Sequence, residues 1–178
     1  MIFVSHYDSP LGMIYMAADD DVLKGVWFEG QKYFASGLDK KETEDKETPV
    51  LKQTKEWLDL YFAGKEPEFL PPLAPEGSEF QKKVWKILLM IPYGKTMTYG
   101  EIGRKVAKMS GKKTMSAQAV GGAVGHNPIS ILIPCHRVVG TNGSLTGYAG
   151  GIEKKIGLLK QERTDMSGMF VPKRGTAL

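Results

Sequence analysis

The chain holds one cysteine, Cys135, in "ILIPCHRVVG" (131–140), set between a proline and a histidine and preceded by branched apolar residues. A free cysteine is most often a small buried filler. The neighbours of this one argue for chemistry. Pro134 has no backbone donor and restricts Ile133 to an extended shape, so the chain is expected to reach Cys135 as the end of a strand and then turn. A thiol at the start of the helical piece that follows feels its positive end and is favoured as thiolate. His136 is the base at hand. Adjacent side chains point in different directions, so a bridging water serves as well as direct contact. Such a histidine needs a carboxylate behind it, and the last helical segment offers Glu153 and Glu162. Spacing does not choose between them.

The segments around this one are legible by pattern. Residues 2–30 read as three short strands with turns at "SPLG" (9–12) and "DDD" (19–21), a small antiparallel sheet. The charged stretch 38–47 has no pattern, and a helix begins at Thr48-Pro49 with Val50, Leu51, Trp57, Leu58, Leu60, Tyr61 and Phe62 at mostly helical spacing. "GKEPEFLPPLAPEG" (64–77) is too rich in proline and glycine for helix or central strand and is taken as a connection between domains. A helix over 78–91 with Ser78 as cap follows, then two short helices over 98–109 and 116–127 separated by a basic loop. These two make a helix-turn-helix candidate. The second carries glycines at 121, 122 and 125, each costing about 1 kcal/mol against alanine in a helix interior. Close approach of another surface would compensate. A glycine-rich hairpin loop (140–147) of the kind that forms a wing and a last helix (152–162) complete the pattern, and the tail 166–178 lacks a period and is expected to be mobile.

The overall charge of +4 hides an asymmetry. Residues 1–75 carry 8 Lys, no Arg and 14 acidic residues, a net −6; residues 76–178 carry 16 basic and 6 acidic residues, a net +10. Only the C-terminal part is suited to a polyanion, nucleic acid being the commonest. The expected organisation is therefore α/β: an acidic N-terminal α/β domain (1–75) with an antiparallel-rich sheet, and a C-terminal winged-helix domain (76–165). The longest apolar run, at 87–92, is far short of the ~20 residues that cross a bilayer, and "MIFVSHYDSP" has neither the basic start nor the apolar core of a secretory signal. A cytoplasmic protein with no membrane partner is expected. One cysteine and three histidines, His6, His126 and His136, support neither an internal disulfide nor a structural zinc site, so no metal and no cofactor are expected. No heptad seam is visible, which points to a monomer.

"PCHRVVG", preceded by "AVGGAVGHNPISILI" and followed by "GTNGSLTGYAGG" and "KKIGLLKQE", resembles the methylated-DNA–protein-cysteine methyltransferases, strongly over residues 78–163 and by order and length before them. The resemblance implies direct reversal of 6-O-alkylguanine, and leaves open whether 4-O-alkylthymine is also a substrate. The partner is double-stranded DNA containing alkylated guanine, whose target nucleotide is flipped into a pocket beside the thiol. It implies roles residue by residue. Cys135 matches the alkyl acceptor, His136 the base acting through a water, and Glu162 the carboxylate behind it. Asn127 matches the asparagine bracing the active-site turn, and Tyr99 the tyrosine that helps rotate the phosphate and donates a proton to the leaving guanine. Tyr148 and Ala149 match the base pocket. Arg137 matches a structural arginine tied to neighbouring carboxylates.

On the DNA side the resemblance assigns Gln118, Ala119, Gly121 and Gly122 to the docking helix and Lys112 and Lys113 to its basic loop. One departure stands out: where the family usually has an arginine that fills the vacated base stack, this chain has Gln118, which brings no charge. Lys112 and Lys113 are expected to supply part of the phosphate attraction. Two other readings fit fewer residues. A winged-helix regulator with Cys135 as sensor has no use for Tyr99, Asn127 and Glu162 together, and a cysteine hydrolase needs an oxyanion hole for which no motif appears.

Overall fold

The computed structural model describes residues 1–173. The chain divides into two compact units, one of Met1–Glu76 with Pro128–Leu132, the other of Gly77–Asn127 with Ile133 onwards.

In the first unit β1 (Ile2–Ser9), β2 (Gly12–Ala18) and β3 (Leu23–Phe28) form the expected antiparallel strands, and β4 (Thr43–Asp45) adds in parallel to β1 to give the order β3-β2-β1-β4. β4 lies in the charged stretch expected to be without structure. It is a three-residue edge with no buried residue, so it leaves no alternating pattern to read, and its charges suit an edge. Helix α1 (Pro49–Phe62) starts where Thr48 Oγ1 accepts from the Leu51 amide at 3.3 Å, and its face of Val50, Leu51, Trp57, Leu58 and Tyr61 is buried. The outer edge of β3 is covered twice. The Leu23 amide donates to Pro72 O (2.7 Å) and the Val26 amide to Pro128 O (2.9 Å), and Val26 O accepts from the Ser130 amide (2.9 Å). The proline-rich connection is thus pinned to the sheet at 72–74.

In the second unit α2 (Glu79–Leu88), α3 (Tyr99–Met109) and α4 (Ala117–Gly125) pack on one another, with Trp85 Nε1 donating to Ala123 O at 2.8 Å. Ser78 and Gln81 close a capping box at the start of α2. That helix ends at Leu88 rather than Ile91, because Pro92 disfavours helical geometry before it and the chain tightens through Met90 and Ile91 amides onto Ile87 and Leu88 carbonyls. β5 (Met97–Thr98) pairs in parallel with β6 (Val138–Val139), and α5 (Ile152–Gln161) follows.

The strand expected to lead into Cys135 does not form. Residues 128–130 run along β3, so the chain must return within a few residues, and it does so through Ile131, buried at φ +71°. A left-handed β-branched residue is costly and persists only where its surroundings hold it. Cys135–Arg137 then form a 3-10 turn. The loop 140–147 closes tightly, the Gly140 amide on Ser144 O at 2.9 Å, but it pairs with the tail instead of forming its own hairpin: the Leu145 amide donates to Phe170 O (2.8 Å) and Phe170 to Gly143 O (3.1 Å). Met166 and Met169, in the segment expected to be mobile, pack on Val139, Leu145 and Leu159. Residues 174–178 of that segment lie outside the described residues. No helix among the described residues is long and apolar enough to cross a membrane.

Candidate active site

Helix α5 settles the carboxylate. Glu153 and Glu162 are nine residues apart, about 180° around a helix of 3.6 residues per turn, so only one can face inward. Glu153 is exposed and Glu162 is 2% exposed at the helix C-terminus. Its carboxylate is fully engaged. Oε2 accepts from His136 Nε2 at 2.5 Å, and Oε1 accepts from Arg137 Nε at 2.7 Å and from the Gly94 amide at 3.1 Å. Burial alone would raise the Glu162 pKa, but these donors outweigh it and hold the carboxyl down at about 2. Gly94 is at φ +75°, with Glu162 O only 3.2 Å from where a Cβ would stand, so this turn requires glycine. Arg137 also donates through Nη1 to Ile91 O at 2.7 Å.

An ionised carboxylate can only accept, so the His136 nitrogen facing it, Nε2, carries a hydrogen. In the neutral ring the lone pair then lies on Nδ1, which is buried and has no protein partner among the described residues. Burial pushes the His136 pKa below its ordinary value, against the pull of Glu162. The ring is therefore neutral at neutral pH, with a basic nitrogen turned away from Glu162.

Cys135 is 5% exposed on its 3-10 turn. Burial pushes its pKa up, opposed by hydrogen bonding from Asn127, by the charge of Lys155 and by backbone amides. The thiol is thus held protonated until a base takes its proton. Asn127 Nδ2 donates to Ile133 O at 2.8 Å, which ties together the two points where the chain leaves this unit and returns to it. Tyr148 is buried edge-on to the His136 ring, centroids 6.4 Å apart, with half-buried Ala149 next in sequence. The Tyr99 hydroxyl donates to Thr146 O at 3.2 Å; burial, with the Cys135 charge adding to it, pushes the phenol well above its ordinary value.

Lys155 was not anticipated. It is fully buried, and Nζ donates to Val138 O at 2.5 Å and to Thr146 O at 2.7 Å, joining the strand after Cys135 to the loop that Tyr99 also bonds. Burial pulls its pKa down to about 8, partly restored by Cys135. A signal existed: Lys155, Leu158, Leu159 and Glu162 fall at i, i+3, i+4 and i+7, so this lysine sits on the apolar face of α5.

The residues assigned to DNA lie elsewhere on the same unit. Ser116 Oγ accepts from the Ala119 amide (3.2 Å) to start α4, whose outward residues are Ala117, Gln118, Ala119 and half-exposed Gly122. A Cβ on Gly122 would meet nothing within 4 Å. Gly121 differs: it is buried on the inner face. Lys112 and Lys113 are exposed in the preceding loop. Among the described residues, no group of three or more His, Cys, Asp or Glu side chains gathers as metal ligands.

Comparison with known proteins places this geometry. The models of the 6-O-methylguanine DNA methyltransferase ribonuclease-like domain and DNA binding domain match residues 2–75 and 79–164. The methylated-DNA–protein-cysteine methyltransferase of Methanosarcina acetivorans is 43% identical over 162 residues, 90% of this chain and 98% of that one. Its counterpart from Mycolicibacterium paratuberculosis is 43% identical over 92% of this chain and 93% of its own. Among solved structures, Mycobacterium tuberculosis OGT in complex with DNA superposes with a TM-score of 0.78 at 38% identity, covering 90% of this chain and 92% of that one. An O6-methylguanine DNA methyltransferase from Methanococcus jannaschii gives 0.62 at 33% identity over 96% and 99%.

Proposed function

Because the chain belongs to the 6-O-methylguanine DNA methyltransferase family, we infer that it repairs double-stranded DNA by moving the alkyl group of a 6-O-alkylguanine to Cys135, once per molecule. One observation carries the reading: a buried thiol adjoins a neutral histidine whose partnered nitrogen faces an ionised, three-fold bonded carboxylate.

Cys135 Sγ attacks the alkyl carbon; the S–C bond forms as the C–O6 bond breaks. The thiol proton goes to His136 Nδ1 through a water, and Glu162 stabilises the imidazolium that results. Tyr99, kept protonated by its raised pKa, supplies a proton to the departing guanine. The products are guanine and a thioether. A thioether is not hydrolysed under mild conditions, so the protein is consumed. Asn127 braces the turn that presents the thiol, and Tyr148 with Ala149 lines the base pocket. The second unit acts as a winged-helix domain whose α4 docks in the minor groove by its outward face of Ala117, Gln118, Ala119 and Gly122. That face is small enough for close approach, and Gln118 fills the stack vacated by the flipped base. All residues given a role belong to one unit of one chain, which supports action as a monomer.

The test is a titration. A duplex bearing one 6-O-methylguanine should yield one restored guanine per protein and then stop, with none restored by Cys135→Ala. Turnover beyond one equivalent, or restoration by the alanine variant, refutes the reading.

A further inference from the structure

The segment after α5 is folded turn by turn. Arg163 stands at φ +55° just past the helix, where its amide donates to Lys160 O (2.9 Å) and the Thr164 amide to Leu159 O (3.0 Å), so the chain doubles back. Asp165 Oδ1 accepts from the Ser167 amide at 3.0 Å and from Ser167 Oγ at 2.6 Å. Met166 to Met169 then close a turn through Gly168 at φ +78°. Phe170 joins the loop that follows β6 by its backbone on both sides: its amide donates to Gly143 O and its carbonyl accepts from the Leu145 amide. The Phe170 ring is 44% exposed, so the attachment does not depend on burying it. The two chains touch at glycines. A Cβ on Gly143 would run into Gly168 O, an approach that only glycine allows. Met166 and Met169 add apolar contact with Val139, Leu145 and Leu159.

The loop so held carries part of the site. Leu145 is buried, and the next carbonyl, Thr146 O, accepts from the Tyr99 hydroxyl (3.2 Å) and from Lys155 Nζ (2.7 Å). Two residues on, Tyr148 stands edge-on to the His136 ring. We propose that residues 164–170 form a positioning strap for alkyl transfer: clamped to Gly143 and Leu145, they hold Thr146 and Tyr148, and through them the Tyr99 hydroxyl and the His136 ring, in register with Cys135. This role rests on the transfer reaction inferred above. The strap acts through the loop rather than on the reacting atoms. Groups that share a transition state tolerate little displacement, and a shift of about 1 Å can cost about 10²-fold in rate.

Phe170→Pro removes the donor to Gly143 O, whereas Phe170→Ala removes the exposed ring and keeps both backbone bonds. Single-turnover transfer from saturating duplex bearing 6-O-methylguanine should slow by about tenfold in Phe170→Pro and stay within about twofold of the parent in Phe170→Ala. Met169→Ser, which withdraws an apolar anchor, should repeat the loss, and Met169→Leu should keep the parent rate. All four should still restore one guanine per protein, since a fold merely weakened loses active molecules rather than speed per molecule. Amide hydrogen exchange reads the cause. Leu145 and Gly140 should both exchange faster in Phe170→Pro, the first because its acceptor is Phe170 O, the second because its acceptor, Ser144 O, belongs to the loosened loop. An unchanged rate in Phe170→Pro, a loss seen only as fewer equivalents, or Gly140 protection retained while Leu145 exchanges freely overturns the strap. Failure of the parent protein to transfer an alkyl group overturns the function instead; exchange at Gly140 still decides whether the strap holds the loop.

Discussion

Replacing Glu162 by glutamine changes one charge and almost no volume. The amide oxygen can still accept from Arg137 Nε and the Gly94 amide, as Oε1 does now. The NH₂ group must then face His136 Nε2, which becomes an acceptor, and the ring hydrogen moves to Nδ1. The base is turned the wrong way round. The loss of charge adds to this. Glu162 is held at about 2, against 4.5 for an ordinary glutamate, so its partners stabilise the carboxylate by about 3 kcal/mol. If roughly half of that belongs to the imidazolium, its loss slows proton uptake by about 10–20-fold. Reversal of the tautomer in a comparable histidine–carboxylate pair costs up to about 10⁴-fold. Single-turnover transfer by Glu162→Gln should therefore fall by about 10²-fold or more, while the protein stays folded by circular dichroism. A rate within about threefold of the parent would refute the assignment of His136 and Glu162.

Three further outcomes follow from the same geometry. The Glu162 pKa is lowered in the folded state, so its contribution is complete above pH 4.5 and is lost as pH falls towards 2; urea unfolding should show about 2 kcal/mol of it gone at pH 3, and that part of the pH dependence should vanish in Glu162→Gln. Because His136 must be neutral to accept a proton and its pKa is depressed, the transfer rate should keep its plateau down to pH 6.5 and fall only below it; a half-loss above pH 6.5 would contradict the buried neutral ring. Gln118→Arg should leave repair undiminished if residue 118 fills the base stack, and a large loss would place α4 differently on DNA.

Local signals in the sequence mark the element starts. Thr48 and Ser78 start their helices as capping residues do, and the turns at 9–12 and 19–21 mark off three strands. The proposed nucleophile and base were legible, because "PCHR" places them together in sequence. What escaped depends on pairing across distance. β4 pairs with β1 along the backbone, and residues 128–130 attach to β3 through amides and carbonyls that no side-chain pattern marks. The turn at Ile131 follows from that attachment, since a chain committed to β3 through Ser130 must return abruptly to Cys135. Lys155 was missed for another reason. A lysine is read as solvated by default, and only its two carbonyl partners reveal why one is buried on an apolar face.

Repair of this kind requires Cys135 as the alkyl acceptor. The direct measurement is the mass of the peptide containing Cys135 after the protein meets an equimolar duplex bearing 6-O-methylguanine. The predicted result is a gain of one methyl group on that peptide, located on sulfur by fragmentation, with one guanine restored per molecule modified. An unmodified Cys135 peptide in a sample whose DNA has been repaired, or a methyl group on any other residue, would contradict it.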